Sequence, residues 1–268
     1  SQNAEGWGER CVPMELSEVS ARLDEELAVP AYADVDASPN GLQVGPASGS
    51  VEHVAVAVDA AVETVERAAE AGADMLLTHH GLIWGGLDRV TDTHYRRIRP
   101  LIEHDLALYV AHLPLDGHQE LGNAAGLAGH LDLVNRAPFG TVGEQWLGQQ
   151  GRLPEALSAS ELAATLEKDL DTGGEHVQVL DFGATELRDI AIVTGSGVDW
   201  LDEAVESGAD ALITGEGKGK AYHEAREAGI SVFLAGHYAT ETFGVKSVQS
   251  LLEEWGLETT YIDCPTGL

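Results

Sequence analysis

Two stretches of this chain, Val56–Gly81 and Ile192–Gly217, align without a gap and are identical at nine of 26 positions. GADMLLT (Gly72–Thr78) against GADALIT (Gly208–Thr214) is the clearest segment. Each stretch joins a short apolar run, a helical period closed by glycine, and a second apolar run. Apolar runs of this kind, bounded by turn residues, are the mark of strands covered on both faces. Strand, helix, strand in succession calls for a parallel pair joined by a crossover. The expectation is an α/β fold of two pseudo-symmetric halves, related by internal duplication and packed face to face.

The expected strands are His53–Val58, Asp74–Thr78 and Ala107–Ala111, then Asp189–Val193, Asp210–Thr214 and Ser231–Ala235. Leu16, Val19, Leu23 and Leu27 recur at helical spacing, with Pro30 ending that helix. Ser160–Leu170 is the one clear helix between Asn135 and Leu187, and a long helix is expected from His237 to about Trp255. Residues 14–135 form the first expected half and 136–268 the second. Residues 1–13 carry no period and read as a leader without assigned structure ahead of Met14.

In parallel α/β sheets, ligands gather beyond the carboxyl ends of the strands. Four apolar runs here end in polar clusters: His79-His80, His112 with Asp116, Gly215-Glu216, and His237 with Glu241. Imidazole and carboxylate together suit borderline divalent ions such as zinc, manganese, iron or nickel. Successive strand side chains point to opposite faces, so His79 and His80 are expected to reach two ions, one each. His237 and Glu241 are four apart on an expected helix and share a face. His112 and Asp116 have the same spacing, though Pro114 favours a loop there. Together these residues predict a two-metal site with a carboxylate bridge, at the meeting of the halves. His53, His94, His104, His118, His130 and His176 have no such context and read as surface residues; His223 is intermediate. The run GEGKGK (Gly215–Lys220) lacks the glycine and hydroxyl spacing of a Walker A loop.

Composition bounds the partners. Asp plus Glu number 45 against 15 Lys plus Arg, for a net charge of −30. Only Lys168, Lys218, Lys220 and Lys246 are lysines. Such a surface cannot release counterions from nucleic acid and is repelled by acidic membranes. The acids are interleaved along the chain, as on a solvated folded surface. Their mutual repulsion is tolerable where salt shortens the Debye length to about 3 Å near 1 M. A high-salt cytoplasm is therefore expected. Cys11 and Cys264 form neither a CxxC site nor a disulfide framework.

Six landmarks in order carry a resemblance: NGLQVG (Asn40–Gly45), LLTHHG (Leu76–Gly81), AHLPLD (Ala111–Asp116), LGNAAGLAGHL (Leu121–Leu131), ITGEGKGKAYHEA (Ile213–Ala225) and GHYATETFGV (Gly236–Val245). From Met14 onward the chain resembles the Nif-three-like, or GTP cyclohydrolase I type 2, family of dinuclear-metal proteins. The resemblance implies that His79 and His237 bind one ion, His80 and Asp116 the other, and that Glu241 bridges them. It places His112 beside the pair as a proton-transfer group or extra ligand. It also implies a toroidal homohexamer and metal-activated water attack on C8 of GTP with release of formate. The alternative function is a non-catalytic metal-trafficking or metal-dependent assembly protein. Gly81 stands where the family commonly has proline, which is expected to loosen that loop.

Overall fold

A computed structural model describes residues 11–268. The leader expectation falls largely outside these residues.

The strands are β1 (Met14–Glu15), β2 (Gly41–Val44), β3 (Ser50–Val51), β4 (His53–Asp59), β5 (Met75–His80), β6 (Ala107–Val110), β7 (Val134–Val142), β8 (Gln145–Leu157), β9 (Gln178–Leu180), β10 (Leu187–Ile192), β11 (Ala211–Thr214), β12 (Ser231–Leu234) and β13 (Glu258–Tyr261). The helices are α1 (Leu16–Glu26), α2 (Val62–Glu70), α3 (Asp92–Glu103), α4 (Leu113–Gly117), α5 (Asn123–His130), α6 (Ala159–Asp169), α7 (Leu201–Glu206), α8 (Lys220–Ala228), α9 (His237–Thr240) and α10 (Thr242–Glu254).

Two mixed sheets carry the α/β fold, in strand orders β13-β4-β5-β6-β2 and β7-β8-β10-β11-β12-β9. β4, β5 and β6 are parallel in the first, and β10, β11 and β12 in the second. Alternation along β4 and β5 divides the apolar residues between two cores. Val54, Val56, Met75 and Leu77 pack with α1 and α10 through Val19, Leu23, Val248 and Leu252. Ala55, Ala57 and Leu76 pack on the other face with Val65 of α2 and Leu101 of α3. The second sheet is covered likewise, by α5 and α6 on one face and α7 and α8 on the other. Double coverage explains why the central strands are apolar at nearly every position.

The aligned stretches do equivalent work. Gly72 and Gly208 both take left-handed backbone (φ +74° and +78°) between helix and strand. Asp74 Oδ2 accepts from the N–H groups of Glu52 and His53, and Asp210 Oδ2 from those of Arg188 and Asp189. Each aspartate thereby fixes the start of the neighbouring parallel strand.

Three expectations change. β13 pairs parallel with β4, and α10 packs on the first sheet's core. The end of the chain therefore returns to the first sheet, although it follows residue 135. The long helix expected from His237 is broken into α9 and α10, with Glu241 at the junction (φ −113°, ψ 12°). α4 is a short helix rather than a loop, because Pro114 sits in its first turn, where a missing N–H costs nothing. Among the described residues, no helix is long and apolar enough to cross a membrane.

Candidate metal centre

The carboxyl ends of β5, β6, β10 and β12 converge where the two sheets meet, and they bring the predicted side chains together. His79, Asp116 and Glu241 place donor atoms within 4.8 Å of one another, as do His80, His237 and Glu241. Glu241 is common to both groups. Its Oε2 lies 3.2 Å from His79 Nε2, 2.9 Å from His80 Nε2 and 3.3 Å from His237 Nε2. His79 Nε2 is also 3.3 Å from Asp116 Oδ1.

This partition differs from the one the resemblance implied: His79 groups with Asp116, and His80 with His237. The adjacent His79 and His80 rings lie close, with 4.6 Å between centroids. A third grouping, His79, His80 and His112, also brings nitrogens within 4.8 Å. His80 is the last residue of β5, and its cross-strand neighbour Asp59 at the end of β4 holds its Nδ1 at 2.6 Å. That contact turns the ring so that its Nε2 reaches the same oxygen as His79.

Every ring nitrogen facing away from the centre has an acceptor. His79 Nδ1 donates to Ala111 O (2.8 Å), His80 Nδ1 to Asp59, His112 Nδ1 to Asp36 (2.8 Å) and His237 Nδ1 to Glu216 (2.7 Å). A proton fixed on Nδ1 leaves Nε2 as the electron-pair donor of each neutral ring. Asp116 Oδ1 accepts from Asn123 Nδ2 and Thr194 Oγ1, which orients that carboxylate. His79 Nε2 and Glu241 Oε2 are buried without a hydrogen bond of normal geometry. Orphaned polar atoms at the focus of three imidazoles and two carboxylates form a donor set that could hold a metal ion.

Electrostatics agree. Burial alone would raise the Glu241 pKa, but the charges of His79 and His80 hold it well below the usual carboxylate range. Burial pulls His79 and His80 down, and the carboxylates outweigh it. Asp116 and Glu241 raise His79, while Glu241 and Asp59 raise His80. His237 reaches about 9 through Glu241 and Glu216, against the same opposing effect of burial. The carboxylates thus favour protonated imidazoles, and the imidazoles favour an ionised Glu241.

The profile of the Duf34/NIF3 (NGG1p interacting factor 3) family matches residues 14–266. The chain belongs to the Duf34/NIF3 family. A GTP cyclohydrolase 1 type 2 homolog of Halobacterium salinarum is 57% identical over 255 residues, 95% of this chain and all of that protein. One of Archaeoglobus fulgidus is 41% identical over 256 residues, with the same coverage. Among solved structures, protein ybgI, of unknown function, superposes with a TM-score of 0.87 at 33% identity. TTHA1606 from Thermus thermophilus does so at 0.84 and 37% identity. Both comparisons cover 95% of this chain and all of the other.

Two glycines shape the centre in this NIF3-family chain. Gly195 has φ +67°, and a Cβ there would lie 2.3 Å from Glu241 Oε1. The position must be glycine for Glu241 to enter. In the aligned stretches Gly195 corresponds to Asp59, so the two stretches differ where one holds His80 and the other admits Glu241. At Gly81, a Cβ would meet the Gln43 amide at 2.6 Å. Gln43 Oε1 accepts from the N–H groups of Leu82 and Ile83, so the loop after the histidines is pinned rather than loosened.

Asp36, Asp59, Asn123 and Thr194 were not singled out from the sequence. Asp59 carried a usable signal, a carboxylate closing an apolar strand. Asp36 carried none, lying 76 residues from the histidine it supports. The remaining histidines stay outside the centre: His53 contacts Thr260, His118 contacts Glu26 O, and His176 contacts Glu167. Lys218 and Lys220 pair with Asp199. A cavity of about 210 Å³ opens beside the centre, touching His112, Asp116, His237 and Glu241.

Proposed function

We propose that this NIF3-family chain holds two divalent ions, from among zinc, manganese, iron or nickel, and is a metal-dependent hydrolase of the GTP cyclohydrolase I type 2 kind. On this reading one water adds at C8 and breaks the C8–N9 bond to open the imidazole ring, and a second hydrolyses the resulting formamide at the N7–C8 bond to release formate. The observation that carries it is the sharing of Glu241 by two donor groups, with the buried Glu241 Oε2 and His79 Nε2 otherwise unsatisfied. The relatives named as GTP cyclohydrolase 1 type 2 homologs support the reaction class.

His79 and Asp116 would hold the inner ion, His80 and His237 the outer one, and Glu241 both. Bound ions of this kind make water more acidic and polarise the group under attack. His112 is the proton carrier: its Nε2 faces the centre while Asp36 holds Nδ1. Burial would raise the Asp36 pKa, but hydrogen bonds from His112 and Asn40 bring it down to about 2. Asp36 thereby orients the ring and leaves its Nε2 to exchange a proton with the reacting group.

A second reading, metal delivery without turnover, draws on the outer group, where the side chains of His80 and His237 are 18% and 27% exposed. Both readings place the chain in a high-salt cytoplasm as a toroidal hexamer, which sedimentation in molar salt would check.

The deciding experiment measures metal per chain and formate released from GTP, on protein purified in molar KCl without chelator. The hydrolase reading expects about two ions and metal-dependent formate, both lost in Glu241→Ala. Two ions that exchange freely, with no formate, would overturn it in favour of delivery.

A further inference from the structure

The cavity beside the metal centre has two unlike walls. One is the donor cluster. The other is apolar, built from Leu113, Leu147, Val193 and Trp200. We infer that this apolar wall, with Trp200 at its centre, recognises an uncharged planar ring of the substrate, a neutral nitrogen heterocycle. The inference rests on the proposed reading that the reaction occurs at the metal centre, and it adds the surface that recognises the ring.

Three observations carry it. First, Trp200 is set before any ligand arrives. Its indole N–H donates to Thr141 O at 2.9 Å, and its ring packs over Gly140, where a Cβ would sit 3.4 Å from Cδ1. A preorganised flat surface binds a flat ligand at low ordering cost. Second, the volume of about 210 Å³ falls below the roughly 300–1,000 Å³ of pockets that enclose whole drug-sized ligands. It admits a ring and leaves a sugar or phosphate chain outside. Third, among the described residues no lysine or arginine lines the cavity. Lys218 and Lys220, the cations of the Gly215–Lys220 loop, are committed to Asp199 beside Trp200. A neutral ring loses water against the indole, and the metal centre on the other side is left to take any polar or anionic group. In molar salt, screening weakens charge attraction further and leaves apolar contact intact.

The test is calorimetric titration of the manganese-loaded full chain with guanosine and with GTP, in molar KCl. Guanosine is expected to bind within about tenfold of GTP, and its affinity is expected not to fall as KCl is raised. Trp200→Leu should weaken guanosine by about 5- to 150-fold, the range that stacking on an aromatic supplies. Trp200→Phe should stay within a few-fold, and metal content should not change in either variant. Val193→Phe, which fills the cavity from the same wall, should block guanosine while keeping both ions. Wild-type affinity in Trp200→Leu or in Val193→Phe would overturn the inference. So would GTP binding with no guanosine binding, which would assign recognition to the phosphate chain. Formate release separates the two claims. An unchanged KM in Trp200→Leu sinks the recognition surface and spares the hydrolase reading. Trp200-dependent guanosine binding without formate does the reverse.

Discussion

His79 Nε2 and Glu241 Oε2 lie 3.2 Å apart in the interior, and no hydrogen bond of normal geometry satisfies either atom. A buried imidazole and carboxylate in that relation are costly as they stand and are reconciled by a shared cation.

Glu241→Gln keeps the volume and removes the shared anion. Adding manganese or zinc to the metal-free wild type should raise its Tm, because an ion bound to the native state alone stabilises it. The variant should show little or no rise. A wild-type-sized increment in Glu241→Gln, read by calorimetry, would exclude Glu241 as the shared ligand.

Protons and ions compete here, and the signs oppose. His237 has its pKa raised to about 9, and His79 and His80 move the same way. In metal-free protein this contributes stability that is present in full below about pH 6.5 and is lost as pH rises to about 9. Metal affinity should rise over the same range, since the ion needs the neutral rings. Melting scans from about pH 6 to about pH 9.5 should show a falling metal-free Tm and a growing metal-induced increment. Parallel curves would contradict the competition.

The outer carboxylates should separate by role. Asp59→Asn loosens His80 and should cost about 10- to 100-fold in metal affinity. Asp36→Asn should leave the metal content at the wild-type level and lower formate release, because among the side chains of the centre Asp36 contacts only His112. Metal loss in Asp36→Asn would make His112 a ligand instead of a proton carrier.

Gly81→Ala drives a Cβ into the Gln43 amide and Val110. Displacing Gln43 strands the N–H groups of Leu82 and Ile83, a cost of about 1–3 kcal/mol where they are buried. Chemical denaturation should show the loss, and the added cost in a Gln43→Ala background should be smaller. Additive effects would mean that the two residues do not share the loop.

Net charge predicts the salt response. At −30, repulsion across the surface is long-ranged at 0.1 M salt, where the Debye length is about 10 Å, and short-ranged above 1 M, where it is about 3 Å. The Tm should climb steeply with KCl to beyond about 1 M. A flat profile would remove the high-salt reading.

The strands and their polar ends were legible because they are local properties: apolar runs, glycine stops, and the side chain that follows each run. His79, His80, His112, Asp116, His237 and Glu241 could be named from sequence for that reason. Which of them meet was not legible. Pairing of His79 with Asp116 and of His80 with His237 depends on how two sheets approach, and no spacing along the chain encodes that distance. Asp36 reaches His112 and Glu216 reaches His237 across loops, and β13 returns to β4 across almost the whole chain. The sequence alone determined the parallel strands and the helices between them, the acidic surface and the ligand candidates, since each follows from neighbours within a few residues. Only the tertiary structure decided the sharing of Glu241 and the anchoring of each ring, since those rest on long-range packing that brings oxygens distant in sequence into hydrogen-bond reach of fixed nitrogens.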